Sequence, residues 1–321
     1  MSESTPAPGG GRQLVAALLG AALSALLFAT GLVVPFIGFL TAFLAAVPLT
    51  LVRLQGSRAA ALAATIIGGA LIALAFSPLV AAWYFAQCGL AGFLVADLSL
   101  RGFTPARTVL WSTLAAMVLM ALLVTVISVT TGFNPQQFIE KEIQQGLQQA
   151  MKLYEAPGLA EQDRETLKSG MESIGQVMLR IYPALATLNL LAVCIITTGL
   201  FHRAAARRSL ALVSVPFKEF RAPELLVWPA IVAGFAMLAP SPLVTTPALN
   251  LLVVLGVVYF IQGLAVLLSL MDRSDYRGLL KAFLAILLLT QPYLAMIVAI
   301  IGIFDLWGDF RTPRKSPEEN L

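Results

Sequence analysis

Asp97, in the stretch GFLVADLSLRG, is a carboxylate inside an apolar run, and Arg101 follows four residues later. That spacing places both groups on one helix face, where they pair as ions. The alternative reading is a functional carboxylate near the cytoplasmic end of its span. The single histidine, His202, opens the basic stretch HRAAARR. Zinc needs three or four convergent ligands, so an interfacial position is expected for it. No glycine-rich phosphate loop, zinc-type spacing or serine elbow occurs in the chain, and such spacings are what phosphate, metal or acyl-transfer chemistry requires. The expectation is a non-enzyme with no metal, no cofactor and no nucleic-acid partner. Cys88 and Cys194 both lie in apolar runs and are expected as buried, inert thiols.

Uncharged polar side chains recur within the apolar runs. Trp83, Tyr84, Gln87, Asn189 and Gln262 form a candidate ligand-binding set for a small neutral or weakly charged molecule. Polar groups in hydrocarbon face other helices or a cavity, so ordinary interhelical bonding is the alternative reading of the same residues. In AALLGAALSALLFATG the alanines at 17, 21, 25 and 29 repeat every four residues and share one helix face. So smooth a face suits close helix packing, either on the ladder Ala60, Ala64 and Gly68 of a later span or on a separate membrane subunit. The stretch SVPFKEFRAPELLVWP alternates charge at Lys218, Glu219 and Arg221 and places Phe217 and Phe220 among them. It reads as a short interfacial helix anchored by Trp228 or as a docking site.

These residues must be positioned by membrane helices. Hydrophobic residues are 59% of the 321 and charged residues 12%, with mean hydropathy +0.86, against roughly 25% charge in a soluble domain. Crossing a bilayer takes about 20 apolar residues, and such runs recur. Spans are expected near 13–32, 34–52, 59–77, 79–98, 107–131, 178–201, 224–240 and 248–271. A C-terminal hairpin broken at Thr290-Gln291-Pro292 brings the count to about ten. The fold class expected is an all-α polytopic bundle. Its parts are a disordered cytoplasmic N-terminus over 1–12, bundle halves over 13–131 and 178–310, and a cytoplasmic tail over 311–321. Between the halves, 132–177 turns polar and glutamine-rich, with Ile139, Ile143 and Leu147 at helical spacing. It is expected as an amphipathic helical loop outside the membrane. Basic residues gather in alternate connections, which puts both termini on the cytoplasmic side of the membrane.

YPALATLNLLAVCI, FKEFRAPE, YFIQGLAVLLSL and IGIFDLWGDFR together resemble the YybS-like family of bacterial membrane proteins. The early stretches GFLTAFLAAVPLTLVRLQGSRAAALAATIIGGALIA and GLAGFLVADLSLRG are more distantly similar to the substrate-binding subunits of energy-coupling-factor vitamin transporters and to the rod-shape protein MreD. The first likeness implies a multi-pass protein of the bacterial inner (cytoplasmic) membrane. The second implies a substrate-binding transport subunit without its own ATPase, docking on a coupling membrane subunit and an ATPase through Ala17, Ala21, Ala25 and Ala29. The likeness to MreD implies a scaffold for envelope-assembly or division proteins.

Overall fold

The computed structural model describes residues 10–34, 37–154, 161–273, 276–291 and 293–311. Residues 1–9 of the N-terminus expected to be disordered over 1–12, the tail beyond Arg311, the Pro157-Gly158 pair within the polar 132–177 stretch, and Pro292 of the expected hairpin lie outside them. Among the described residues every regular element is helical. The chain divides into two compact units, Met1–Ala150 with Ala186–Ser214, and Met151–Leu185 with Val215–Leu321.

The first unit begins with α1 (Gly10–Val33), α2 (Ile37–Leu44), α3 (Val47–Gln55) and α4 (Arg58–Ala75). The span expected over 34–52 is therefore two short helices. Pro48 near the start of α3 has no N–H to give the carbonyl of Leu44 and crowds it, so the chain breaks there. The broken turn leaves the Ala45 carbonyl without its helical donor, and the Ser24 hydroxyl of α1 bonds it at 2.6 Å. Ser57 caps α4 by accepting from the Ala60 N–H, which satisfies a donor that the first helical turn leaves open.

The chain continues through α5 (Pro78–Tyr84), a π-helical turn (Phe85–Leu90) and α6 (Ala91–Leu100), then α7 (Pro105–Thr131) and α8 (Pro135–Tyr154). Ser77 and Thr104 cap α5 and α7 in the same way as Ser57. The 46-residue α9 (Glu161–Ala206) carries the amphipathic stretch before Met178 straight into the sixth expected span. The core of this unit is made of small residues. Ala17, Ala21 and Ala25 of α1 lie buried with Ala45, Ala46, Leu49, Ala60 and Ala64. Close packing of this kind is how helices gain contact where lipid is as apolar as they are.

Asp97 joins three elements of this unit. Its carboxylate accepts from Arg58 Nε at 2.7 Å and Arg53 Nη2 at 3.3 Å on one oxygen, and pairs with Arg101 Nε at 2.8 Å on the other. The i, i+4 pair with Arg101 is the one expected from spacing. The arginines of α3 and α4 are additional.

The second unit holds two 3₁₀ turns (Phe217–Glu219 and Glu224–Leu226), α10 (Val227–Ala236), α11 (Pro242–Met271), α12 (Arg277–Thr290) and α13 (Leu294–Gly308). The C-terminal apolar stretch is split at Gln291, as the Thr-Gln-Pro break predicts. Pro183, inside the part of α9 in this unit, disturbs the ladder around it. Asn250 of α11 repairs the gap: its Oδ1 accepts from Ala184 N–H at 2.8 Å and its Nδ2 donates to the Arg180 carbonyl at 2.9 Å.

Among the described residues, six helices are long and apolar enough to cross a membrane, and shorter apolar helices cover Leu40–Gln55, Glu224–Ala236 and Leu294–Gly308.

Candidate anion-binding cleft

The closest helix contact of the second unit creates its polar centre. A Cβ on Gly302 of α13 would overlap the Tyr259 carbonyl oxygen of α11, and one on Gly263 would overlap the Val298 carbonyl. Only glycine lets the two backbones approach this far. Gln262 precedes Gly263, and Asp305 lies one turn beyond Gly302, so the approach brings their side chains together. Gln262 Nε2 donates to Asp305 Oδ2 at 3.2 Å, while its Oε1 accepts from the Ala222 N–H at 3.0 Å. Gln262 thereby ties the 217–222 stretch to both helices.

Asp309 follows α13 in the left-handed region, φ +36°, a conformation that aspartate tolerates better than most residues. Just beyond that bend, Arg311 reaches back to the centre. Its Nη2 donates to Asp305 Oδ2 and its Nη1 to the Lys218 carbonyl, both at 2.8 Å. The side chains are 0% exposed for Asp305 and 8% for Arg311. Asp305 Oδ1 and Arg311 Nε are buried and have no hydrogen-bond partner among the described residues.

Above this centre lies a cleft of about 300 Å³ lined by Lys218, Glu219, Arg221, Ser269 and Arg311. Its lining carries three cationic side chains and one acidic one. Arg221 also pairs with Asp309 at 2.5 Å, and Lys218 with Asp272 at 3.5 Å. Asp272 accepts from Lys281 at 2.5 Å, and that ammonium holds the carboxyl below the usual carboxylate range. Arg273 donates to the Arg311 carbonyl. Phe217 and Phe220 stack with ring planes 7° apart. The arrangement offers directed N–H donors and a hydroxyl to an anionic group.

The residues expected to bind ligand or partners fall in several places. Trp83 and Tyr84 both meet Phe28 edge-on. Trp83 is 45% exposed, whereas Tyr84 is fully buried with its hydroxyl 2.8 Å from Ser24 Oγ. Gln87 is buried in the π-helical turn with Oε1 unpartnered among the described residues, and Asn189 is half-buried on α9. Gln262 belongs to the second unit and uses its amide in the bonds above. The alanines at 17, 21 and 25 are covered by helices of their own unit, with Ala29 packed at the edge of that core. Lys218, Glu219 and Arg221 line the cleft. Asp305, Arg311 and Ser269 are additional, and an acidic residue closing an apolar run in IGIFDLWGDFR was the signal for the first of them.

The family described as predicted membrane protein DUF2232 matches residues 22–306. The chain belongs to this family. No curated protein and no solved structure matches it. As a member of DUF2232 with several membrane-length helices, it is a multi-pass membrane protein. The polar centre, up to Asp305, lies inside the matched region, while Asp309 and Arg311 follow just after it.

Proposed function

We propose that this DUF2232 protein is a ligand-binding subunit of a membrane transport assembly, without an ATPase of its own, and that the cleft over Gln262 and Asp305 takes a small organic anion. The observation that carries this reading is the lining of the cleft. Lys218, Arg221 and Arg311 line it, and Glu219 is the one acidic side chain among the lining residues. Asp272, Asp309 and Asp305 pair with the three cations from outside the lining, and Arg311 is fixed from behind by Asp305. A fixed guanidinium loses less freedom on binding than a mobile one. Ser269 is the hydroxyl in the lining, and among the described residues no hydrogen bond joins it to a base, so binding rather than catalysis is the role proposed. Energy for uptake would come from a separate coupling subunit and ATPase, as the likeness to energy-coupling-factor subunits implies. Because α1 buries Ala17, Ala21 and Ala25 within its own unit, such a partner would dock on another surface.

The test is thermal unfolding of the detergent-purified protein titrated with inorganic phosphate and with succinate. Stabilisation by either anion that weakens about tenfold or more in Lys218→Gln and Arg221→Gln supports the site. An unaltered midpoint with both anions, or equal responses in the variants, would remove it.

One observation favours a scaffold resembling MreD instead. Helix α8 sets half-buried Ile139, Ile143 and Leu147 in one stripe among exposed polar residues, a face suited to an envelope-assembly partner. Under this second reading, deleting 134–176 costs co-purification of such partners from native membranes while both units stay folded.

A further inference from the structure

The other charged cluster, around Asp97, has no part in that cleft. Among residues 10–134 and 186–214, Asp97 is the only acidic residue against eight arginines. The first unit gathers these arginines at one end. The Ser57 hydroxyl before α4 bonds Gln13 near the start of α1, and Phe201 near the end of α9 packs with Val95 and Ala96 of α6 and against Leu54 and Leu100. Asp97 neutralises a single charge of this set.

Its geometry decides what remains free. Arg58 and Arg101 each approach Asp97 through Nε, which leaves both terminal NH₂ groups of each guanidinium without a partner among the described residues. A guanidinium carries five N–H donors in a fixed fork. The Asp97 carboxylate, 4% exposed, therefore acts as a clamp that holds two forks in place. The Arg58 and Arg101 side chains remain 54% and 52% exposed, so the free edges face outward. Fixed forks match phosphate oxygens.

The surroundings select the kind of phosphate. Arg58 is the first residue of one membrane-length helix, and Arg101 directly follows another, Pro78–Leu100, so the forks sit at the depth of lipid headgroups. Along α4, Leu62 and Ile66 follow Arg58 at successive fours and are 45% and 61% exposed. One helix face thus runs from guanidinium to apolar side chains, matching a molecule with a phosphate at one end and an acyl chain below it. We infer that Arg58 and Arg101, clamped by Asp97, form a binding site for the headgroup phosphate of an anionic phospholipid. The surplus cationic charge favours a lipid with net negative charge over a zwitterionic one.

Delipidated protein titrated in mixed micelles with phosphatidylglycerol, phosphatidylcholine or inorganic phosphate tests this, with retained lipid read by native mass spectrometry and the unfolding midpoint read alongside. Phosphatidylglycerol is expected to be retained and to raise the midpoint at concentrations where the other two do neither. Arg58→Gln and Arg101→Gln should each weaken retention about fivefold, while Arg107→Gln, outside the clamp, should leave it unchanged. Equal retention of the two lipids, an equal response to inorganic phosphate, or full retention in both clamp variants would overturn the site. The wild-type lipid comparison decides the matter even if a variant fails to fold.

Discussion

Gly302 stands against Tyr259 so closely that a Cβ on the glycine would overlap the tyrosine's carbonyl oxygen. The obstacle is backbone, which cannot turn aside as a side chain can. Gly302→Ala should force α13 away from α11, at the roughly 1–3 kcal/mol typical of overpacking, and separate Gln262 from Asp305. Gly256→Ala, on α11 with open space around its Cβ position, should be neutral or slightly stabilising. Thermal unfolding of both variants checks this, and equal midpoints would show that the close approach is unimportant.

The long apolar helices were legible because composition and period alone decide them. The Asp97–Arg101 pair was legible because both partners share one helix. Arg53 and Arg58 were not, since they reach Asp97 from 44 and 39 residues away in sequence. The same holds for Asn250, whose bonds to Arg180 and Ala184 repair a break that only Pro183 announced. Asp305 and Arg311 needed the Gly263–Gly302 contact to bring Gln262 alongside, a fact of tertiary packing. The FKEFR stretch stood out through its alternating charges, and the cleft is built partly on it.

Ser24 and Tyr84 should respond unequally to truncation. Ser24 is bonded to both the Ala45 carbonyl and the Tyr84 hydroxyl. Ser24→Ala strands two buried groups, at about 1–3 kcal/mol for each. Tyr84→Phe leaves Ser24 with its carbonyl partner and should cost about 1 kcal/mol. Urea or thermal unfolding of the two variants measures the difference, and the opposite order would contradict the network.

Asp272 should contribute an acid-sensitive part of stability. Its carboxyl is held low first by the hydrogen bond from Lys281, with Lys218 adding to it. A depressed carboxylate stabilises the fold above its unfolded value of about 3.9, and the gain disappears as pH falls through the lower folded value. The midpoint of the wild type should therefore drop more between pH 6 and pH 3 than that of Asp272→Asn. Parallel curves would mean that the Lys281 contact has no influence on stability.

Arg311 and Asp305 form a pair whose halves cannot be removed independently. Asp305 is buried with Gln262 and Arg311 as its recorded side-chain donors, so Arg311→Gln leaves a carboxylate under-compensated in the interior. Breaking one side of such a pair costs about 3–5 kcal/mol. Asp305→Asn alone leaves the Arg311 guanidinium, 8% exposed, without its counter-charge, held by the Lys218 carbonyl. The double variant Asp305→Asn/Arg311→Gln removes both charges and should recover part of that loss, because two neutral amides can still bond each other and Gln262. A double-mutant cycle on unfolding midpoints measures this coupling. Additive losses would show that the two charges do not depend on one another and that Arg311 is not fixed from behind as the cleft requires.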